Sequence, residues 1–386
     1  MRYRNRFKQT QFYTGYWVEP PFDKLAARRY KEIADCGFNL VLSGFENAPS
    51  ESFAPLLRRN RLKCILMNRG GDSKNWPKDE TVIGYGLLDE PKTSQFLELR
   101  DRATALRESH PGTIPFVNLF PNYASSAQLG AATYDGYVAE FIRIYQPEVL
   151  CMDNYPIFKP GKDTRQTYID NLDIFRKHSL AANIPFWNFY NFMPYGPHTD
   201  PTEAQLRWQV NASLVYGAKG LLSFCYFTPA GDEFPKGGAI IARDGAQTHH
   251  YQHAKRLNQT LHAFGRVLID CTSIDVARIS PTDIPIEKLS RSAIKDLKRD
   301  AVDPFGDYLV GTFSHRSGRR AVLLMNYQFA YSAWPTVIFD TADTATRVTE
   351  IDPITGREKQ LRDESPAMEG FQVPLSDGGA RLFLIG

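Results

Sequence analysis

The sequence predicts an α/β protein, a (βα)8 TIM barrel followed by a C-terminal antiparallel β-sandwich, from three observations. The chain of 386 residues has room for one barrel of about 250 residues and a smaller domain. Eight short apolar segments alternate with helical patterns, and most of them are near-continuous hydrophobic runs, as in parallel strands buried on both faces. Short strands separated by turn residues then follow. We therefore expect a barrel domain at 1–270 and a sandwich domain at 271–386.

The apolar segments and the sequence signals for helices give the order of the strands and helices in the predicted barrel. Asp200, Pro201 and Glu203 form a strong helix start after the seventh segment. The connection at 69–81 is too short and loop-like for a full helix. No GxGxxG motif follows the first segment, which argues against an open nucleotide-binding sheet. The predicted strands are 12–18, 37–45, 62–68, 82–88, 114–120, 148–155, 184–192 and 219–227.

Composition excludes several classes of function. The net charge of +3 leaves no basic footprint for nucleic acid. No run approaches the ~20 apolar residues of a membrane span. The first 22 residues contain no apolar signal segment, so we expect a soluble protein; a secreted or periplasmic location stays open if a signal was removed. The five cysteines form no CxxC pair and the eight histidines no metal signature, so we expect reduced core cysteines, no metal and no cofactor. Oligomeric state is not readable.

Acidic residues follow the fourth and sixth predicted strands. In "VIGYGLLDEP" (82–91), strict alternation directs Glu90 to the barrel mouth with Gly84 and Gly86, and directs Asp89 toward the helices. Asp153 likewise follows a buried run. Active sites of such barrels form at the C-terminal ends of the strands. Two structural alternatives stay open: "DEP" can cap the next helix, and Asp153 can hold a turn.

Other polar and aromatic residues fall near the same ends of the strands. Alternation places Asn118 on the face of Phe116, and it places Asn188 and Tyr190 on the face of Phe186. Aromatic faces stack on pyranose rings, whereas Asn and Asp bind hydroxyl groups. We expect the substrate-binding set to be Asp89, Asn118, Tyr155, Asn188, Tyr190, Tyr226, Glu46 and Trp17.

The architecture and two motifs resemble glycoside hydrolases of clan A, such as the family 42 β-galactosidases. "LLDEP" (87–91) resembles the acid/base signature of the clan, with Glu90 in the place of the acid/base glutamate. "YGAKGLLSFCYFTP" (216–229) resembles its eighth strand, with Tyr226 and Phe227 in the place of sugar-stacking aromatics. The resemblance fails at the seventh strand, where the clan has its nucleophilic glutamate and this chain has no acid between Pro185 and Asp200.

The sequence therefore predicts a glycosidase that cleaves O-glycosidic bonds of an oligo- or polysaccharide with two carboxylates. Glu90 is the expected general acid and Asp153 the expected base or nucleophile, in a retaining or an inverting reaction. Glu46, Asp232 and Glu233 are reserve candidates for the second carboxylate. The alternative, suggested by the missing acid, is a catalytically inactive barrel that binds glycans. A metal-dependent barrel enzyme would need His ligands at strand ends, which are missing.

Overall fold

The first part of the chain forms one sheet of eight parallel strands in a computed structural model that describes residues 6–44, 50–67, 72–300, 303–341, 347–363 and 368–386. Strands pair with their sequence neighbours from the second to the eighth, and the eighth pairs with the first. The strands are β1 (Tyr13–Tyr16), β2 (Leu40–Ser43), β3 (Lys63–Leu66), β4 (Val82–Asp89), β5 (Ile114–Leu119), β6 (Leu150–Asp153), β7 (Phe186–Asn191) and β8 (Gly220–Phe224).

Asn39, which directly precedes β2, bridges the gap between β1 and β2. Its backbone N–H donates to the carbonyl of Thr14 at 3.0 Å. Its side-chain Oδ1 accepts the backbone N–H of Thr14 at 2.8 Å, and its Nδ2 donates to the carbonyl of Phe12. These bonds complete the ring of strands, and the predicted (βα)8 barrel is confirmed.

Helices alternate with the strands as expected, and the described residues of the connection after β3 form a short 3-10 turn, Ser73–Asn75. The predicted cap at Asp200 is wrong: the helix there begins two residues later, because Thr202 and Gln205 form a reciprocal capping box. No helix in the described ranges is long and apolar enough to cross a bilayer. The helices are α1 (Ala26–Asp35), α2 (Ser50–Arg59), α3 (Phe96–Ser109), α4 (Ser126–Leu129), α5 (Tyr134–Tyr145), α6 (Arg165–Ala182), α7 (Glu203–Val215) and α8 (His249–Leu268).

The barrel interior is filled by large side chains, and β4 makes room for them with glycine. Phe116 and Trp187 belong to the buried cluster inside the barrel. A Cβ atom on Gly84 would lie 2.7 Å from the Ile114 carbonyl oxygen and 2.9 Å from its Cβ. A Cβ atom on Gly86 would clash with the sulfur of Met67. The glycines therefore reflect a close approach of neighbouring strands.

The last part of the chain forms two antiparallel sheets, one of six strands and one of three, and apolar residues of both sheets share one buried core. The predicted β-sandwich is confirmed. It contains, with the one-turn helix α9 (Pro285–Lys288), the strands β9 (Cys271–Ile279), β10 (Ile294–Lys298), β11 (Tyr308–His315), β12 (Arg320–Asn326), β13 (Thr336–Phe339), β14 (Val348–Ile351), β15 (Glu358–Gln360), β16 (Phe371–Gln372) and β17 (Ala380–Ile385).

The chain divides into two compact units that are not continuous in sequence. One comprises 1–200 and 220–258, and the other comprises 201–219 and 259–386. Helix α7 thus groups with the antiparallel sheets. Within that unit Arg207 donates to the Asp377 carboxylate at 2.7 Å, and the indole N–H of Trp208 donates to the carbonyl of Tyr327 at 2.9 Å.

Replacement of Gly84 by alanine tests the close packing of β4. We expect Gly84→Ala to lower the free energy of unfolding by about 1–3 kcal/mol, because the new methyl group meets backbone atoms that cannot move aside. Gly237→Ala is the control, because a Cβ atom there contacts nothing within 4 Å. Urea denaturation of both variants measures the difference. Equal stability of the two variants would contradict the proposed steric cause.

Candidate active site

A pocket of about 190 Å³ lies at the C-terminal ends of the barrel strands. It brings together six of the residues predicted for the site: Trp17, Asp89, Glu90, Asn118, Asp153 and Tyr155. Three further aromatic residues complete the described lining: Phe189, Tyr195 and Phe224. The pocket therefore combines three carboxyl groups, one amide and an aromatic wall.

A β-bulge in β4 directs Asp89 into this pocket. The pairing of β4 with β5 shifts by one residue between Gly86 and Leu88, so that Asp89 pairs with Asn118. Directly paired residues of parallel strands point to the same face, and the extra residue reverses the alternation beyond it. The expectation that Asp89 faces the helices is therefore wrong, because strict alternation does not hold across the bulge.

Glu90 follows the bulge in a left-handed backbone conformation, with φ of 48°. Few residues other than glycine adopt this region, and such conformations persist only where the surrounding structure holds them. Here the Glu90 N–H donates to the Asn118 carbonyl oxygen at 2.9 Å. Asp89 and Glu90 thus both line the pocket although they are adjacent in sequence.

The side-chain amide of Asn118 joins the carboxyl groups of two strands. Its Nδ2 donates to Asp89 Oδ1 at 3.1 Å and to Asp153 Oδ1 at 2.9 Å. The two acceptor oxygens therefore cannot be further apart than the sum of these distances. One donor group holds Asp89 at the end of β4 and Asp153 at the end of β6 beside β5, which lies between them.

Burial raises the pKa of all three carboxyl groups, and neighbouring charges raise the pKa of Glu90 and Asp153 further. Asp89 is exposed at the rim, while Glu90 and Asp153 are half-buried, and the pocket walls remove part of the water around each group. This desolvation, with the charge of Asp89, raises the pKa of Glu90 to about 7. Burial and the charges of Glu90 and Asp89 raise the pKa of Asp153 well above its usual range. Desolvation also raises the pKa of Asp89, although the bond from Asn118 opposes it.

Aromatic rings surround the carboxyl groups. The Trp17 ring meets Phe189 edge-on, with centroids 5.8 Å apart, and Tyr155 lies 5.6 Å from Phe224 and 6.2 Å from Tyr195. Phe189 and Phe224 were not predicted for the site from the sequence. They could have been predicted by assigning the large aromatic residues of β7 and β8 to the face that points into the barrel.

Asn188 and Tyr190 of β7 do not reach the pocket, which corrects their predicted role. The Asn188 amide donates to the hydroxyl of Tyr168 on α6 at 2.7 Å, so it faces the helix layer. Tyr190 is buried beside Phe192. The interior face of β7 instead carries Trp187 and Phe189. Both faces of this strand are buried and rich in aromatics, so its polar residues did not indicate which face points into the barrel.

Tyr226 is also placed away from the pocket. It is buried against Tyr16 and Phe38, with ring centroids 4.7 and 5.7 Å away. Strand β8 ends at Phe224, so alternation no longer predicts which residue beyond it faces the mouth. The pocket is contacted by Phe224 instead.

The reserve carboxylates are not part of the described pocket lining. Asp232 and Glu233 are exposed on the segment after β8. Glu46 lies outside the described residues. Within the described ranges, the pocket carboxyl groups all come from the ends of β4 and β6, and β7 contributes Phe189 in place of an acid.

The raised pKa of Glu90 makes stability depend on pH. Below about pH 4.5 the group is protonated in both the folded and the unfolded chain, whereas between about 4.5 and 7 only the unfolded chain loses the proton. Wild-type stability therefore falls as pH rises through this window. We expect Glu90→Gln to remove that loss, giving a higher Tm than wild type at pH 8 and a smaller difference at pH 4.

Thermal denaturation at both pH values measures this effect. Glu80→Gln is the matched control, because Glu80 is exposed on the surface before β4. The control should show the same difference from wild type at pH 4 and pH 8. An identical pH profile for Glu90→Gln and wild type would contradict a raised pKa.

Searches for related proteins found similarity in structure only: no family model and no curated protein matches the sequence. A GH42 β-galactosidase from G. stearothermophilus has 8% identity and a TM-score of 0.65, with 99% of this chain and 100% of that chain covered. A β-galactosidase from Bacillus circulans sp. alkalophilus has 9% identity and a TM-score of 0.62, with coverages of 97% and 99%. A putative α-galactosidase/melibiase from Bacteroides fragilis has 10% identity and a TM-score of 0.52, with coverages of 97% and 79%. The chain therefore has a fold that resembles glycoside hydrolase barrels, and identities this low show the fold alone.

Proposed function

We propose that the protein is a glycoside hydrolase whose general acid is Glu90 and whose base or nucleophile is Asp153. The observation that carries this proposal is the group of carboxyls around the Asn118 amide, in an aromatic-lined pocket at the C-terminal end of the barrel. Glycoside hydrolysis needs one carboxylic acid and one carboxylate on either side of the scissile bond. The similarity to glycosidase folds adds support.

Glu90 is suited to hold the proton. Burial raises the pKa of both Glu90 and Asp153, and the amide of Asn118 opposes that rise at Asp153, whereas no side-chain hydrogen bond from the described residues reaches the Glu90 carboxyl. With a pKa of about 7, Glu90 is protonated over the acidic and near-neutral range and returns to the anion readily. A general acid works best when its pKa lies near the working pH. Glu90 therefore donates to the leaving oxygen as the glycosidic bond breaks.

Asp153 acts on the other side of the anomeric carbon, in one of two ways. As a nucleophile it forms a glycosyl–enzyme ester that water then hydrolyses, and Glu90 becomes the base in that second step. As a base it removes a proton from water as the water attacks. The Asn118 bond keeps the Asp153 carboxyl in position in both cases, and in this proposal Asp89 binds a sugar hydroxyl.

The pocket is suited to a single sugar ring. Its volume of about 190 Å³ is smaller than the ~300–1,000 Å³ of pockets that bind drug-sized ligands. The rings of Trp17 and Tyr155 offer apolar faces to the C–H groups of a pyranose. We therefore expect cleavage to release a terminal monosaccharide.

Turnover of glycosides with different leaving groups tests the two roles. We expect Glu90→Gln to lower kcat/KM about 10²–10⁴-fold on oligosaccharides, the range for general acid catalysis. The loss should be much smaller on dinitrophenyl glycosides, because that leaving group departs without a proton. Asp153→Asn should lose activity on both. The pH profile of wild type should fall above about pH 7, and this limb should be missing in Glu90→Gln.

Glu233→Gln is the matched control for these variants, since Glu233 is an exposed carboxylate after β8. It should keep near wild-type activity on both kinds of substrate. Loss of activity in the control and not in Asp153→Asn would assign the second carboxylate to Glu233. Equal losses of Glu90→Gln on both substrate classes would contradict its role as the acid.

A glycan-binding barrel without turnover is the second candidate. One observation favours it: in the described pocket lining, β7 contributes the aromatic side chain of Phe189 and no carboxyl group. Calorimetry of wild type with a sugar panel separates the two candidates. Sugar binding without product release from any oligosaccharide or aryl glycoside would support the binder and contradict hydrolysis.

A further inference from the structure

Three histidines gather at the start of α8, away from the described lining of the carboxylate pocket. His249, His250 and His253 each offer one ligand nitrogen, and these nitrogens lie within 4.8 Å of one another. The rings of His249 and His250 have centroids 4.0 Å apart. Residues four positions apart in a helix share a face, which places His253 one turn beyond His249. The sequence has no zinc-type spacing, but the folded helix forms a cluster of imidazoles.

His250 is the fixed member of this cluster. Its side chain is completely buried, and its Nε2–H donates to Asp200 Oδ1 at 2.7 Å. That bond sets the tautomer, so that Nδ1 carries a lone pair. No hydrogen bond within the described ranges reaches this buried Nδ1. A buried polar atom without a partner costs free energy, which a ligand on Nδ1 would recover.

The contact with Asp200 is the arrangement found around metal-binding histidines. Such histidines donate their other ring N–H to a carboxylate, which fixes the ring and makes the ligand nitrogen more basic. Asp200 approaches two of the three rings, because its second oxygen lies 3.4 Å from the Nε2 of His249. One carboxylate therefore supports both His249 and His250.

The cluster can close around an ion by rotation of side chains. Zinc lies about 2.0–2.1 Å from histidine nitrogens, so nitrogens spread over 4.8 Å must come closer together. His249 is exposed, which gives its ring room to turn toward the fixed His250, and the half-buried His253 ring lies 5.6 and 5.7 Å from the rings of His249 and His250. The exposed side also offers the ion a path from solvent and leaves a position for water.

We propose that His249, His250 and His253 bind one divalent first-row transition metal ion, with zinc as the physiological occupant. Imidazole nitrogen suits zinc, cobalt, nickel and copper, whereas calcium and magnesium prefer oxygen ligands. Three protein ligands leave a fourth position for water. Asp200 ends the segment after β7 that contains the pocket residue Tyr195. The ion therefore ties the first turn of α8 to this segment and stabilises the folded barrel.

Metal titration of the full chain, without a polyhistidine tag and after removal of metal by a chelator, tests the site. We expect one Zn²⁺ per chain by calorimetry, a rise in Tm with Zn²⁺, and the visible absorption of tetrahedral Co²⁺. His249→Gln, at an exposed position that tolerates change, should weaken Co²⁺ binding at least about tenfold. Asp200→Asn should weaken it about 10–100-fold, as for other residues that orient a metal ligand.

Two controls exclude other binding sites. His315→Gln removes a histidine of β11, and Glu90→Gln removes a carboxyl group of the pocket; both should keep wild-type stoichiometry and affinity. The proposal is overturned if wild type binds no Zn²⁺, if His249→Gln and Asp200→Asn bind Co²⁺ as well as wild type does, or if Glu90→Gln abolishes binding.

Discussion

The candidate site depends on one amide group. The Asn118 side chain has two N–H bonds, and each is donated to a different aspartate, while its backbone carbonyl accepts the N–H of Glu90. Carboxylates brought this close repel one another. Their pKa values stay raised because the amide hydrogen bonds offset only part of this repulsion and of the burial. Because β5 lies between the two strands that carry the acids, one side chain at its end can reach both of them. Without the amide, the end of β4 and the end of β6 would carry unshielded like charges.

The fold could be predicted because its causes are local and repeated. Near-continuous apolar runs mark strands that are buried on both faces, and the change to short alternating strands marks the sandwich. The acids after β4 and β6 were recognisable for the same reason, since a charge that directly follows a buried run lies where the strand emerges. Glu46 stays a prediction, because it lies outside the described residues.

The direction of individual side chains could not be predicted equally well. A bulge adds one residue to a strand, so each residue beyond it points to the opposite face from the one that alternation predicts. Nothing in the two leucines before Asp89 indicates that a bulge lies there. In β7 both faces are aromatic or polar, so Asn188 appeared to face the mouth although Phe189 does. Alternation predicts a phase only where one face differs chemically from the other. The histidine cluster could not be predicted either, because Asp200, which contacts two of its rings, is distant from it in sequence.

Helix α7 has a consequence for the inheritance of this protein. The chain passes from one compact unit to the other at residues 200/201, 219/220 and 258/259. A single genetic crossover near residue 270 would give the α7 sequence to one product and its partners Asp377 and Tyr327 to the other. Arg207 would then lose the Asp377 carboxylate wherever the other parent has no acid at that position. Exchange of the antiparallel sheets between related chains therefore keeps the contacts of α7 only where residues 201–219 are exchanged with them.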